Sequence, residues 1–218
     1  MNKILTFDCY GTLLDTAPLY EHIADHAAKY GLSPYKAVQI FSCYEDRLMY
    51  GEDFKPYDQL LREILDYCDM ELSTDIFSSE FDRIFDIHRS FLPFEDVMST
   101  LYILKEKGYE LALMSNTTKQ IMNWHLERFD YIFDDILLAD ETECYKPSLE
   151  FFRAAEQKFE LHLKDHYHIA KGYWWDIVPA HKMGWKKIWV NRAKLVKGRD
   201  KEKPYRTIVS LYELERLL

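Results

Sequence analysis

Asp8 closes the apolar run "KILTF" and is followed at once by a turn that carries Gly11 and Thr12. A buried carboxylate is costly unless it is hydrogen-bonded. Glycine lets backbone come close, and a threonine hydroxyl can orient a carboxylate. The three together suit an acid held in one orientation for use on a ligand. Polar residues end other apolar runs too: Ser115 and Asn116 after "ELALM", Asp140 after "DDILLA", Lys171 after "HYHIA" and Asn191 after "KKIWV". Such residues also end strands for backbone reasons alone, and for Asp140 and Asn191 that plainer role is the expectation.

The elements that must position these residues differ along the chain. Residues 17 to about 90 have helical periodicity, as in "YEHIADHAAKYGL", "YKAVQIFSCYEDRLMYG", "YDQLLREILDYC" and "FSSEFDRIFDIHRSFL". From about residue 93 short apolar runs alternate with helical ones, and Gly108 and Gly184 stand where helix C-terminal caps belong. Near-continuous apolar strands separated by helices predict a parallel sheet covered on both faces. The expected fold class is therefore α/β, a doubly wound parallel sheet, interrupted after its first strand by an α-helical cap. The expected boundaries are 1–15 and 93–218 for the core and 16–92 for the cap. Open parallel sheets bind ligands outside the carboxyl ends of their strands, which puts Asp8 on the ligand edge.

Composition narrows the partners. With 218 residues the chain suits one domain plus an insert. Lys and Arg number 28 against 37 Asp and Glu, and the net charge of −9 opposes attraction to nucleic acid or anionic lipid. No apolar run reaches the ~20 residues that span a bilayer, no signal-peptide order opens the chain, and the expected location is cytoplasmic. Cys9, Cys43, Cys68 and Cys144 have neither pairing nor zinc-type spacing and are expected as reduced, mostly buried thiols. The 16% aromatic content suits either a stacking surface or, more simply, a ring-rich core.

Four segments carry a resemblance. "FDCYGTLLD" at 7–15, "MSNTT" at 114–118, "CYKPS" at 144–148 and "HIAKGYWWDIVPAHKMG" at 168–184 resemble, in order and spacing, the four motifs of the haloacid dehalogenase superfamily. The likeness is nearest to the 2-haloacid dehalogenase-type branch, which has an aromatic residue, here Tyr10, two positions after the nucleophile. It implies that Asp8 is a covalent nucleophile forming an ester that water then hydrolyses. It also implies that Lys146 supplies positive charge, that Asp176 activates the water, and that Tyr10, Thr12, Ser115, Asn116 and Lys171 contact a small anionic substrate. Taken alone, Lys146 reads more simply as a solvated lysine before a proline-started helix, and the alternative for Asp176 is a helix N-cap.

Departures from the superfamily pattern bear on the reaction. Phosphatases of the superfamily carry a second aspartate where this chain has Tyr10, and a phenol with a reference pKa near ~10 is a poor acid–base near neutral pH. Lys171 stands where those enzymes usually carry a magnesium-binding aspartate, so no cofactor is expected to be required, with Mg2+ the exception to test. The dehalogenase branch has a cap arginine near the place of Ser42, with Arg47 the closest basic residue, and a tyrosine where this chain has Phe152. Trp174 and Trp175 either line a pocket or close a core. The expected function is hydrolytic dehalogenation of a small 2-halo acid. A small-molecule phosphatase and a non-catalytic binding protein of the same fold are the alternatives, and the oligomeric state stays open.

Overall fold

The computed structural model describes residues 3–51, 53–203 and 206–218. Strand β1 (Lys3–Phe7) leads into four helices, α1 (Ala17–Lys29), α2 (Pro34–Met49), α3 (Tyr57–Leu72) and α4 (Phe81–Arg89). Then follow α5 (Val97–Glu106), β2 (Tyr109–Ser115), α6 (Lys119–Leu126), β3 (Asp135–Leu138), α7 (Ala139–Thr142), α8 (Leu149–Lys158) and β4 (Asp165–Ala170). The chain closes with α9 (Val178–Lys182), β5 (Lys186–Val190), β6 (Arg206–Ile208) and α10 (Leu214–Leu217). It divides into two compact units, Met1–Asp15 with Leu92–Leu218, and Thr16–Phe91.

The first unit is a doubly wound α/β sheet in the order β3-β2-β1-β4-β5-β6, every pair parallel. Its strands read as apolar runs because both faces are covered. Leu5, Phe7, Leu111, Leu113, Ile169 and Ile188 are fully buried, each such side chain stabilising by roughly 1.5–3 kcal/mol relative to exposure. The order reverses at β1, whose neighbours are β2 and β4. Register sets Phe7 opposite both Leu113 and Ile169, so Asp8, Met114 and Ala170 reach the carboxyl edge together. Gly108 and Gly184, expected as caps, follow α5 and α9 at φ +81° and +74°. Strand β6, at only three residues, is too short to have shown a pattern in the sequence.

The second unit is four helices. Ser33 caps α2 by accepting from Lys36 N, and Leu60, Leu61, Ile64, Leu65 and Cys68 form the buried stripe of α3. The Tyr44 and Tyr67 rings stack with centroids 4.2 Å apart, and the Tyr20 and Tyr57 hydroxyls donate to Glu45 at 3.1 and 2.7 Å. Phe7, Phe41, Phe77, Phe91, Phe129, Phe151 and Phe152 are fully buried, so much of the aromatic content is core. One expectation is corrected: Cys9 and Cys68 are buried, but Cys43 is exposed and Cys144 intermediate, because Cys43 falls outside the apolar stripe of α2. Among the described residues no helix is long and apolar enough to cross a membrane.

A buried polar cluster ties the turn that carries Thr12 to the rest of the first unit. Arg192, just past β5, donates to both oxygens of Asp96 at 2.9 Å and to the Thr12 carbonyl at 2.8 and 3.2 Å. Ser210 Oγ and Leu211 N also donate to Asp96, at 2.7 and 2.8 Å. Burial alone would raise the Asp96 carboxyl, but the Arg192, Ser210 and Leu211 hydrogen bonds outweigh it and hold it below the usual carboxylate range. A depressed folded-state pKa stabilises the fold above the unfolded value near ~3.9, and that contribution is lost as pH falls through the folded value. Asp96→Asn should therefore cost about 3 kcal/mol at neutral pH, since it leaves Arg192 charged without its counter-ion. In urea titrations the gap between parent and variant should narrow below pH ~4; a gap independent of pH would show that charge is not the cause.

Candidate active site

The backbone delivers Asp8 one residue beyond β1, where its N–H donates to Ile169 O at 3.1 Å. The turn then folds back, with Thr12, Leu13 and Leu14 all donating to the Cys9 carbonyl. Gly11 sits at φ +74°, a region that L side chains avoid. A Cβ there would lie 3.3 Å from Lys171 Cδ and 3.4 Å from its Nζ, so the Lys171 side chain runs across this glycine.

Lys146 is the centre of the site. It follows β3 and α7 on a loop whose Lys146–Pro147 peptide is cis. Asn116, just past β2, fastens that loop: its Oδ1 accepts from Lys146 N at 2.7 Å and its Nδ2 donates to Lys146 O at 3.0 Å. The ammonium, 1% exposed, donates to Asp8 Oδ1 at 2.7 Å, Asp176 Oδ1 at 2.7 Å and Met114 O at 3.1 Å. An ammonium has three donors, and all three are used. Burial would favour neutral lysine, but Asp176 and Asp8 hold the amine well above its usual range and keep it charged.

The two carboxylates are not equivalent. Thr12 Oγ1 donates to Asp8 Oδ2 at 2.6 Å and itself accepts from Lys171 N at 2.8 Å. Burial and the Asp176 charge nevertheless push the Asp8 carboxyl above the usual range, against the pull of Lys146 and Thr12. Asp176 goes the other way. Burial would raise it, but the Lys146 charge and the His168 hydrogen bond, with Nε2 to Oδ1 at 3.2 Å, bring it below. Asp8 is thus the more basic of the two carboxylates.

Asp176 lies within a single π-turn, Tyr173–Ile177, in which its N–H and that of Ile177 share the Gly172 carbonyl at 2.8 and 3.2 Å. In a continuous α-helix the Pro179 ring would press on the carbonyl four residues earlier, and the extra residue of a π-turn avoids this. The alternative N-cap role of Asp176 is not realised, because α9 begins at Val178 with no side-chain cap. Asp176 Oδ2 is buried and has no hydrogen-bond partner among the described residues. It lies against Gly172, where a Cβ would sit 2.4 Å away.

Behind Asp176 runs a chain of polar groups. Thr6 Oγ1 lies 2.8 Å from His168 Nδ1 and 2.8 Å from His166 Nε2. Burial, the neighbouring His168 and Lys186 bring His166 down to about 3, so it is neutral. With His168 Nε2–H donating to Asp176, a consistent assignment has Thr6 donating to His168 Nδ1 and accepting from His166 Nε2.

Of the residues expected from sequence, Asp8, Thr12, Lys146 and Asp176 form one hydrogen-bonded cluster. Lys171 adjoins it through its backbone N–H and has an exposed side chain. Ser115 is fully buried and close to Cys9. Tyr10 donates to Thr117 Oγ1 at 3.4 Å, and burial pushes its phenol well above the usual range. Asp140 and Asn191 do what turn residues do: Asp140 accepts from Lys119 N, and Asn191 bonds to Leu195 N and O. Phe152 is core, edge-on to His168 at 5.9 Å, while Trp174 is 47% exposed and Arg47 lies exposed over the Tyr44 ring. Sequence reasoning missed Thr6, His166, His168, Gly172 and Arg192. A signal for the first three was present: His166 and His168 alternate on one face of β4, and Thr6 pairs with His168 across the register.

Residues 2–184 match the family model of haloacid dehalogenase-like hydrolases. The (S)-2-haloacid dehalogenase 4A of Burkholderia cepacia is 26% identical over 195 residues, covering 87% of this chain and 83% of that protein. A glyceraldehyde 3-phosphate phosphatase of Pyrococcus furiosus is 25% identical over 228 residues, covering 99% and 91%. The solved L-2-haloacid dehalogenase of Xanthobacter autotrophicus with chloropropionic acid covalently bound superposes with a TM-score of 0.80 at 16% identity, covering 100% and 98%, a likeness of fold. With its parallel sheet, its four motifs at the carboxyl edge and a family match that spans most of its length, the chain belongs to the haloacid dehalogenase-like hydrolases.

Proposed function

We propose that this hydrolase cleaves the carbon–halogen bond of a small 2-halo acid, with residues 1–15 and 93–218 as catalytic core domain and 16–92 as an inserted domain. The observation that carries the reading is the Lys146 ammonium bonded at once to Asp8 and Asp176, with a phenol, Tyr10, where a second acid would be needed for phosphate esters. Asp8 attacks the halogen-bearing carbon: a C–O bond forms, the C–halogen bond breaks, and the halide leaves with the electron pair and needs no proton. Asp176 then takes a proton from water as the oxygen adds to the Asp8 ester carbonyl. It returns that proton to the departing alkoxide, giving the 2-hydroxy acid, and the regenerated Asp8 carboxyl ionises. His168 acts through Asp176 as a positioning residue. Tyr10 and Lys171 are assigned to the substrate side, whereas Thr12 and Asn116 hold Asp8 and the Lys146 loop and Ser115 is buried beside Cys9. The relatives named as 2-haloacid dehalogenases support the same choice.

The residues present suit a magnesium ion poorly. Both carboxylates already give an oxygen to Lys146, and the chain has Lys171, an amine, where an oxygen ligand would be needed. No step therefore needs a metal. The phosphatase reading keeps one observation on its side, the full-length likeness to the Pyrococcus enzyme.

Isotope tracing separates the two. In a single turnover in H2(18)O, dehalogenation places the label in the Asp8 carboxyl, because water attacks the ester carbon, whereas phosphate hydrolysis places it in phosphate. Label in phosphate would reject the proposal. Asp176→Asn should slow ester hydrolysis by roughly 10²–10⁴-fold and less so its formation, so intact-protein mass spectrometry should find the substrate acid attached to Asp8. An unlabelled, folded Asp176→Asn protein would remove Asp176 from the role. Activity on 2-halo acids should also be unchanged by EDTA, and an activity lost to EDTA and restored by Mg2+ would favour the phosphatase.

A further inference from the structure

Within the helical unit, three donor groups that take no part in this hydrolysis converge. His22 and His26 are four residues apart on α1, which places them on one helix face. Glu80 ends the short 3-10 turn Ser78–Glu80 ahead of α4. Its Oε2 lies 2.9 Å from His22 Nε2 and 3.6 Å from His26 Nδ1, and one donor atom from each of the three residues lies within 4.8 Å of the others.

The His26 ring carries the argument. Its Nε2 is 3.1 Å from the Ile76 carbonyl, which can only accept, so Nε2 bears the hydrogen. In the neutral ring Nδ1 is then a bare lone pair, with a carboxylate oxygen 3.6 Å away. Two lone pairs that close repel, and a cation between them turns that repulsion into coordination. A ring N–H bonded to a backbone carbonyl is also the device that fixes the tautomer of a metal-bound histidine. The segment carrying Glu80 is held independently: Asp69 on α3 accepts from Phe77 N at 2.8 Å and Ser78 N at 2.9 Å, and Ser79 Oγ donates to Ile76 O at 2.9 Å. The three donors therefore stand on fixed backbone, with the His26 side chain 7% exposed and those of His22 and Glu80 22% and 24%, open to entry from solvent.

We propose that His22, His26 and Glu80 form a binding site for one divalent transition-metal ion of the zinc class, with water as a fourth ligand. Tetrahedral zinc with ligands at about 2.0–2.1 Å sets its donors about 3.3–3.4 Å apart. The observed 2.9 and 3.6 Å bracket that spacing, and the two imidazole donors lie within 4.8 Å of each other. Two imidazoles with one carboxylate select zinc-like ions over magnesium or calcium, which prefer all-oxygen sets. The ion would clip α1 to the segment joining α3 and α4. The competing arrangement, a protonated His26 paired with Glu80, needs no ion.

The experiment uses the full chain, stripped with chelator and dialysed. Zn2+ should bind one to one and raise the Tm by roughly 5–10 °C at about 100 times its Kd, while Co2+ should give the intense visible bands of four-coordinate geometry. Both responses should vanish in His22→Ala and in Glu80→Gln, two partly exposed positions chosen so that one folded variant suffices. Both should persist in Asp8→Asn, which separates this site from the hydrolytic one. No Tm rise in the parent, an equal rise in both variants, or a pale six-coordinate Co2+ spectrum would each overturn the proposal.

Discussion

A single buried ammonium sets the terms for the first unit. Lys146 neutralises only one of the two carboxylates it touches, so Asp8, Lys146 and Asp176 together carry one net negative charge away from water. Such a cluster persists because every donor of the lysine is used and because each partner arrives on a different, well-anchored segment. Removing Lys146 would leave two carboxylates facing each other in a poorly polarisable interior, at a cost of roughly 3–5 kcal/mol, whereas removing one carboxylate leaves a neutral ion pair. Structural and chemical demands therefore fall on the same atoms. Burial and the excess negative charge together raise the Asp8 carboxyl above its usual range.

The surroundings convert this charge into geometry. Thr12 links Asp8 to the start of the segment after β4, and Gly11 leaves room for Lys171 to cross the turn. Asn116 fixes the lysine loop from both sides of one peptide unit. Farther back, His168, Thr6 and His166 form an ordered series of donors and acceptors within the sheet, so that the orientation of Asp176 depends on buried groups. Positioning of this kind matters because displacement of a reacting group by about 1 Å can lower a rate by about a hundredfold.

The sheet was legible because its signal is redundant: β1 to β5 each combine a compact apolar run with a polar residue at the carboxyl end, and parallel pairing follows from the alternation with helices. Asp8 and Thr12 were legible for the same reason. Lys146 and Asp176 were not, without the family resemblance, since each has an ordinary local explanation and their meeting depends on contacts 30 residues apart. The polar pattern of "DHYHIA" was visible but ambiguous, because a histidine pair on a strand is as readily a surface feature as a buried one. The π-turn was beyond reach: helical periodicity does not reveal one inserted residue. Arg192 was missed because its partners Asp96 and Thr12 are distant in sequence, and only the folded sheet brings them to one place.

The margins of the sheet have a consequence of another kind. Strand β3 has four residues and β6 three, so neither border offers a long template for another chain. At β3 the outward-facing amide of Ile136 is met by the carboxylate of Asp135 at 2.8 Å, and its carbonyl by Lys158 at 2.6 Å. Both hydrogen-bonding groups that an incoming strand would seek are already satisfied by charged side chains. Short, self-satisfied borders of this sort resist edge-to-edge aggregation. A protein so rich in buried rings gains most from that protection while it is folding, when its apolar strands are still unpaired.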